Sequence, residues 1–186
     1  MNVSRLSLSL ILLPCLCAWA PNPQSPGQKP VGTFRSSAGY TALYPLDWHR
    51  LSQSGDYIDL LSGNQYVETT VIAPGEAVLT LHDVRAGDGH TPSTVDAALA
   101  GETSDDTFLS RADIAVPRTP GGCSRIVEQR THGAFRPTGG MIDSTSFFCV
   151  LGSRVVKASV MNWQDDPKEA AYVATALDVV KSIRAN

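Results

Sequence analysis

Gly39-Tyr40-Thr41-Ala42-Leu43-Tyr44-Pro45-Leu46-Asp47-Trp48 decides how the rest of the chain is read. Tyr40, Ala42 and Tyr44 alternate with Thr41 and Leu43, the period-2 pattern of an extended segment. Pro45 fixes its own φ and holds Tyr44 extended, so the spacing predicts a strand that stops at a proline corner. Trp48 follows closely enough to fill the gap such a corner leaves in a small core.

Outward to the N-terminus, residues 1–20 carry Arg5, an apolar run from Leu6 to Leu16 and the end Ala18-Trp19-Ala20. Positive end, apolar middle and small residues at −3 and −1 are the order of a secretory signal peptide. The run is too short for a permanent membrane span. Pro21 sits awkwardly just after that cut, and Cys17 offers another small residue at −1, so two cleavage points stay open. Cys15 follows Pro14 and Cys17 follows Leu16, so neither has the small preceding residue that a lipid-modified cysteine needs; no lipid anchor is expected. Residues 21–32 are rich in proline and small polar residues and are expected to form a flexible tether, with the folded domain spanning 33–186.

Loss of residues 1–20 removes only Arg5, leaving 14 basic and 18 acidic residues and a net charge of −4. Without a Lys/Arg cluster, such a domain is a poor partner for nucleic acid or an anionic membrane. Cys123 and Cys149 are then the two remaining cysteines. In an oxidising compartment an even pair reads as a disulfide, worth roughly 3 to 4 kcal/mol for a loop of this size, with two separate buried thiols as the alternative.

Strands are expected at Tyr57–Leu61, Val67–Ile72 and Ala77–Val84, with turns at Ser52–Gly55 and Ser62–Asn64. Thr91 and Pro92 suit the N-cap and first position of a helix with Val95, Ala98 and Leu99 on its buried stripe and Gly101 at its end. Residues 123–131 and 141–151 read as a central hairpin around a loop at His132–Gly140, followed by a strand at Arg154–Asn162. Pairing Thr131 with Met141 would place Cys123 opposite Cys149. Asp166, Pro167 and Glu169 supply an N-cap, a first-position proline and a capping-box acid for a terminal helix. Its stripe is Val173, Leu177, Val180 and Arg184, flanked by Ala170, Ala174, Ala176 and Ile183.

This order of elements resembles the PsbP-like superfamily of α/β/α sandwiches, which includes exported bacterial proteins of the DcrB and LpqN types. Gly39-Tyr40, Tyr44-Pro45 and Trp48 carry the resemblance, with the Val95–Ala100 helix, the Phe147–Leu151 and Arg154–Val160 strands and the ending Val179-Val180-Lys181-Ser182-Ile183. It covers roughly residues 33–184. It implies a single-domain α+β fold, an α/β/α sandwich with a mainly antiparallel central sheet and a C-terminal helix packed on it. Members act mostly as binding, assembly or chaperone-like modules without a shared catalytic site, so no catalytic residue and no cofactor are carried over. The missing lipobox departs from the lipoprotein members.

The residues themselves offer little chemistry. There is no Gly-x-Ser-x-Gly, no Ser-x-x-Lys and no phosphate loop; Gly87-Asp88-Gly89 reads as a turn. His82-Asp83 with Asp88 and His90 has metal-ligating residue types, but neighbouring strand residues point to opposite faces, and no metal is expected. Glu102, Asp105 and Asp106 lack the spaced oxygens and glycine turn of a calcium loop. Arg130, His132 and Arg136 cluster around the hairpin loop and could meet an anionic ligand or acidic partner. Trp48 and Trp163 could line a pocket, although core filling is the plainer role. An exported, non-enzymatic module, periplasmic or secreted and acting through protein contacts, is therefore the leading expectation. The alternatives are a carrier of a small apolar ligand and, ranked below both, a hydrolase with an unrecognised site.

Overall fold

The computed structural model describes residues 31–62, 75–85, 91–100, 106–116, 119–135 and 139–186. Its elements run β1 (Val31–Ser36), β2 (Tyr40–Pro45), β3 (His49–Gln53), β4 (Tyr57–Leu61), β5 (Ala77–Asp83), α1 (Val95–Ala100) and β6 (Thr107–Ile114). There follow β7 (Arg125–Phe135), β8 (Gly140–Leu151), β9 (Arg154–Trp163), α2 (Glu169–Lys181) and β10 (Arg184–Ala185). The class is α+β with antiparallel pairing throughout, and the C-terminal helix packs on the sheet.

Seven strands form the main sheet in the order β3-β4-β5-β9-β8-β7-β6, and β1-β2-β10 form a small second sheet. The proline-cornered strand is the middle strand of that small sheet rather than part of the large one. Val31 and Gly32, expected in the tether, pair with Pro45 and Tyr44 as the first residues of β1.

Phe147-Phe148 shows why an unbroken apolar run sits in a strand covered on both faces. Phe147 belongs to the main core with Phe34, Tyr40, Leu79, Val156, Tyr172, Val180 and Ile183, between the sheet, α2 and the small sheet. Phe148 points the other way, to a second cluster with Val84, Val95, Val127 and Val155, where α1 covers part of the opposite face. Trp48 is buried edge-on against Tyr172, their ring centroids 6.1 Å apart, and the Tyr172 hydroxyl donates to the Gly75 carbonyl at 2.6 Å. Trp48 thus fills the core beside the proline corner.

The hairpin differs from its expected register. Ala134 faces Met141 and Ile126 faces Cys149, so the strands run on through His132–Phe135 and shorten the loop. Gly133, inside the expected loop, stays in the ladder opposite Ile142, and Asp106 lies where a Cβ on it would be. Cys123 lies just before β7 rather than opposite Cys149. It reaches Cys149 because the turn at Thr119–Ser124 folds back on β8, where the Ser124 N–H donates to the Val150 carbonyl at 2.9 Å. The disulfide has an S–S length of 2.04 Å and a Cα–Cα distance of 5.4 Å, and both residues are buried.

Two strands, β3 and β6, carry no clear expectation in the sequence, because they lie at the sheet's edges and are largely exposed, so no buried face imposes alternation. Ser52 and Gln53, expected in a turn, pair with Asp59 and Ile58. Thr94, not Thr91, caps α1: its hydroxyl accepts the Ala97 N–H at 3.2 Å. The terminal helix begins at Glu169, yet the Asp166 carboxylate accepts the Lys168 N–H at 2.8 Å and works as a cap one turn early. Buried positions of α2 are Tyr172, Ala176, Val179 and Val180, with Val173 and Leu177 at the margin. Arg184, expected on the helical stripe, is instead in β10, paired with Thr41. The expected leader, most of the tether, the strand at Val67–Ile72, and Asp88, His90, Glu102, Asp105 and Arg136 lie outside the described residues.

Candidate functional site

Alternation along a strand sends successive side chains to opposite faces. On the main sheet Val155, Phe148 and Val127 meet α1, which fixes the face of every second residue along β9, β8 and β7. Beside the patch under α1, this face turns polar and no described element covers it.

The register assembles one row of polar side chains across all seven strands. Ser52 faces Asp59, Asp59 faces Thr80, Thr80 faces Ser159, Ser159 faces Ser146, Ser146 faces Gln129, and Gln129 faces Arg111. Three hydrogen bonds tie the row together. The Ser52 hydroxyl donates to the Asp59 carboxylate at 2.5 Å, the Ser146 and Ser159 hydroxyls bond to each other at 2.8 Å, and Arg111 Nη2 donates to Gln129 Oε1 at 2.8 Å. Ser146 is only 8% exposed, so its bond to Ser159 offsets the cost of burying a hydroxyl.

This row floors a groove of about 820 Å³ that runs from β5 to β6 under the edge of α1. Met161, Ser144, Thr131 and Phe108 lie on one side of the row; His82 and Lys157 lie on the other, with Ala98 and Leu99 of α1 above. The size is that of a binding cleft, but the floor is more polar than is usual for small apolar ligands. Arg111 stands over the Phe108 ring at 5.6 Å, and Lys157 Nζ over the Phe148 ring at 5.4 Å. Each cation is thus within cation–π range of an aromatic ring. At the groove's outer wall, β6 is the last strand of the sheet, and its Phe108 and Leu109 are 55% and 54% exposed.

A second, smaller groove of about 460 Å³ lies between the small sheet and α2, lined by Val31, Leu43, Tyr44, Trp48, Val179 and Asp178 among others. Among the described residues, no group of three or more His, Cys, Asp or Glu is placed to hold a metal ion. His82 lines the polar groove, whereas Asp83 bonds Arg154 Nη1 at 3.4 Å; burial holds the Asp83 carboxyl above its usual range, with Arg154 and Arg85 opposing.

The residues singled out from the sequence do not form one surface. Arg130 and His132 project together on the α2 face, each already matched by carboxylates. Arg130 Nε donates to Glu128 at 2.7 Å, Arg130 Nη1 lies 3.8 Å from Glu169, and His132 Nδ1 is 2.8 Å from Asp143. An anionic partner there would meet three acids as well. Trp163 belongs to the α1 face by alternation from Val155, and it packs over Gly140, where a Cβ would collide with its ring. Trp48 is in the core. The groove residues were visible in part: Lys157, Ser159 and Met161 alternate with buried Val156, Ala158 and Val160. What the sequence could not show is that four other strands align their own polar residues with these.

No protein-family model matches the chain, and no curated protein matches it. Among solved structures it is similar to a crystal structure from Bacteroides thetaiotaomicron, at 12% sequence identity and a TM-score of 0.47, covering 83% of this chain and 48% of that one. It is also similar to cyanobacterial PsbP (CyanoP) from Synechocystis, at 8% identity and a TM-score of 0.41, covering 89% of this chain and 98% of that one. The chain thus spans about half the length of the Bacteroides structure. The class assignment, α+β with a seven-stranded antiparallel sheet and a C-terminal helix packed on it, rests on the chain's own elements.

Proposed function

We propose that this chain is an exported, non-enzymatic binding module of the PsbP-like superfamily, of the DcrB/LpqN kind, periplasmic or secreted, that acts through contacts with a protein partner. The observation that carries the proposal is the open polar groove walled by edge strand β6, with Phe108 and Leu109 exposed beside it. A sheet edge offers unpaired backbone groups and exposed apolar side chains add contact area, a combination that suits a protein partner. The leader-like residues 1–20 and the cysteine pair support export. A carrier of a small apolar ligand has less support, since Tyr172, Ala176, Val180 and Phe147 fill the space between sheet and α2.

The test is site-specific photo-crosslinking in the exported compartment from probes at positions 108 and 109, with Leu51 on the opposite edge strand as control. One discrete adduct is expected from the first two positions and none from the third. Equal labelling from all three would sink the proposal, as would catalytic turnover abolished by one side-chain change. A small molecule retained in native mass spectra would favour the carrier.

A further inference from the structure

We infer that a cleft beside β3 and β1 binds a small soluble phosphate monoester, held by the guanidinium groups of Arg35 and Arg50. The site is apart from the β6 edge and goes beyond the partner proposal.

Placement is the first argument. Among the described residues, β3 is an edge strand of the main sheet and β1 an edge strand of the small one. Just past their ends the Ser37 N–H donates to the Gly55 carbonyl, and a shallow cleft of about 540 Å³ opens beside that junction. Arg50 faces Leu60 across the β3–β4 ladder, and Leu60 is in the main core, so Arg50 projects on the side of the small sheet. Phe34 and Ser36 are buried, so alternation turns Arg35 outward between them. Both arginines line the cleft.

Unused donors are the second argument. Arg50 Nη1 donates to Gln53 Oε1 at 2.9 Å, which leaves most of its N–H groups for a ligand. The exposed Arg35 side chain makes no hydrogen bond or ion pair with any described residue. The Ser52 and Ser54 hydroxyls at the same cleft direct their protons to Asp59 and Asp56. The charged donors left are therefore the two guanidiniums. No carboxylate lines the cleft among the described residues. Asp59, between buried Ile58 and Leu60, is on the opposite face of the main sheet, and Asp56 lies 3.6 Å from Arg85. Two planar forks from separate strands match the three terminal oxygens of a phosphate monoester, whereas one fork satisfies the two oxygens of a carboxylate. Leu51, 37% exposed at the rim, gives the organic part of the ester an apolar contact. The net charge of −3 disfavours approach to an anionic lipid surface, so the phosphate belongs to a soluble molecule.

The experiment is an NMR titration of the full chain labelled with nitrogen-15. The probes are glycerol 3-phosphate, methyl sulfate as a tetrahedral anion of single charge, and acetate as a planar one. Glycerol 3-phosphate is expected to shift the Nε–H signals of Arg35 and Arg50 and the amides of Gln53, Ser54 and Gly55, and to leave Phe108 and Leu109 in place. It should bind about fivefold more tightly than methyl sulfate and about tenfold more tightly than acetate. Arg35→Gln and Arg50→Gln should each weaken it about fivefold, with melting unchanged because both side chains are exposed. Raised salt should weaken it as well. Absence of the Nε–H shifts at millimolar glycerol 3-phosphate overturns the inference, and so does equal binding of acetate or unchanged binding by both variants. Retention on vesicles of phosphatidylcholine and phosphatidic acid, without shifts from glycerol 3-phosphate, would also overturn it. A small anion yields no protein adduct at Leu51, so this outcome and the crosslinking at 108 and 109 are read separately, and either proposal can fall while the other stands.

Discussion

Replacing both cysteines by alanine tests how the turn before β7 is fixed to the sheet. Cys123 and Cys149 are 26 residues apart, and both are buried in the main core. In the chain-entropy model, opening a loop of that length costs about 3.5 kcal/mol, because the unfolded chain regains freedom that the crosslink denied it. For a folded domain of this size that loss corresponds to a fall of about 10 °C in Tm. Urea unfolding followed by tryptophan fluorescence is the assay. The midpoint should fall and the m-value should rise, since an unfolded chain without the crosslink exposes more surface. The turn should also loosen: the Ser124 N–H bond to Val150 and the Ala185 N–H bond to Gly121 depend on it, so their amides should exchange faster than the rest of β8. A loss under about 1 kcal/mol with unchanged m would refute the reasoning, because the entropy term cannot vanish for a loop this long. Labelling of both native cysteines by an alkylating agent without reductant would refute it more directly.

Tyr172→Phe removes the hydroxyl that bonds Gly75 and leaves the edge contact with Trp48; a loss of about 1 kcal/mol in urea unfolding is expected, and no loss would mean that the bond contributes nothing. Gly140→Ala places a methyl group where the Trp163 ring lies, so a loss of about 1 to 3 kcal/mol and a red-shifted tryptophan emission are expected, and an unchanged spectrum would contradict the packing. Asp83 gives a pH signature. Burial raises its carboxyl in the fold, so the folded state holds that proton more tightly than the unfolded one. Its ionisation therefore subtracts stability at neutral pH, and the subtraction fades as pH falls through the raised folded value. Measured by urea unfolding, the stability of the native chain relative to Asp83→Asn should rise as pH is lowered; a fall would reverse the argument. Asp113 has the opposite sign: its hydrogen bond to Arg125 lowers its carboxyl, and that contribution is lost in acid.

The sequence by itself determined the local elements whose residues face two unlike environments. β2 is readable from Tyr40, Ala42 and Tyr44 against Thr41 and Leu43, β8 from the Phe147-Phe148 run, and α2 from Asp166-Pro167 and its apolar stripe, because burial on one face imposes a period. Edge strands β3 and β6 left no such imprint, since their residues are mostly exposed. The partner of each strand, and with it the candidate site, was decided only by tertiary structure. A shift of three residues in the β7–β8 register separates the expected pairing of Thr131 with Met141 from the actual pairing of Ala134 with Met141. An odd shift exchanges the residues that share a face, so no local reading of polar residues could align Thr80, Ser159, Ser146, Gln129 and Arg111. That part of the row draws on five of the seven strands, spread over residues 77–163, and the pairing of the whole sheet, rather than any one segment, holds it in register.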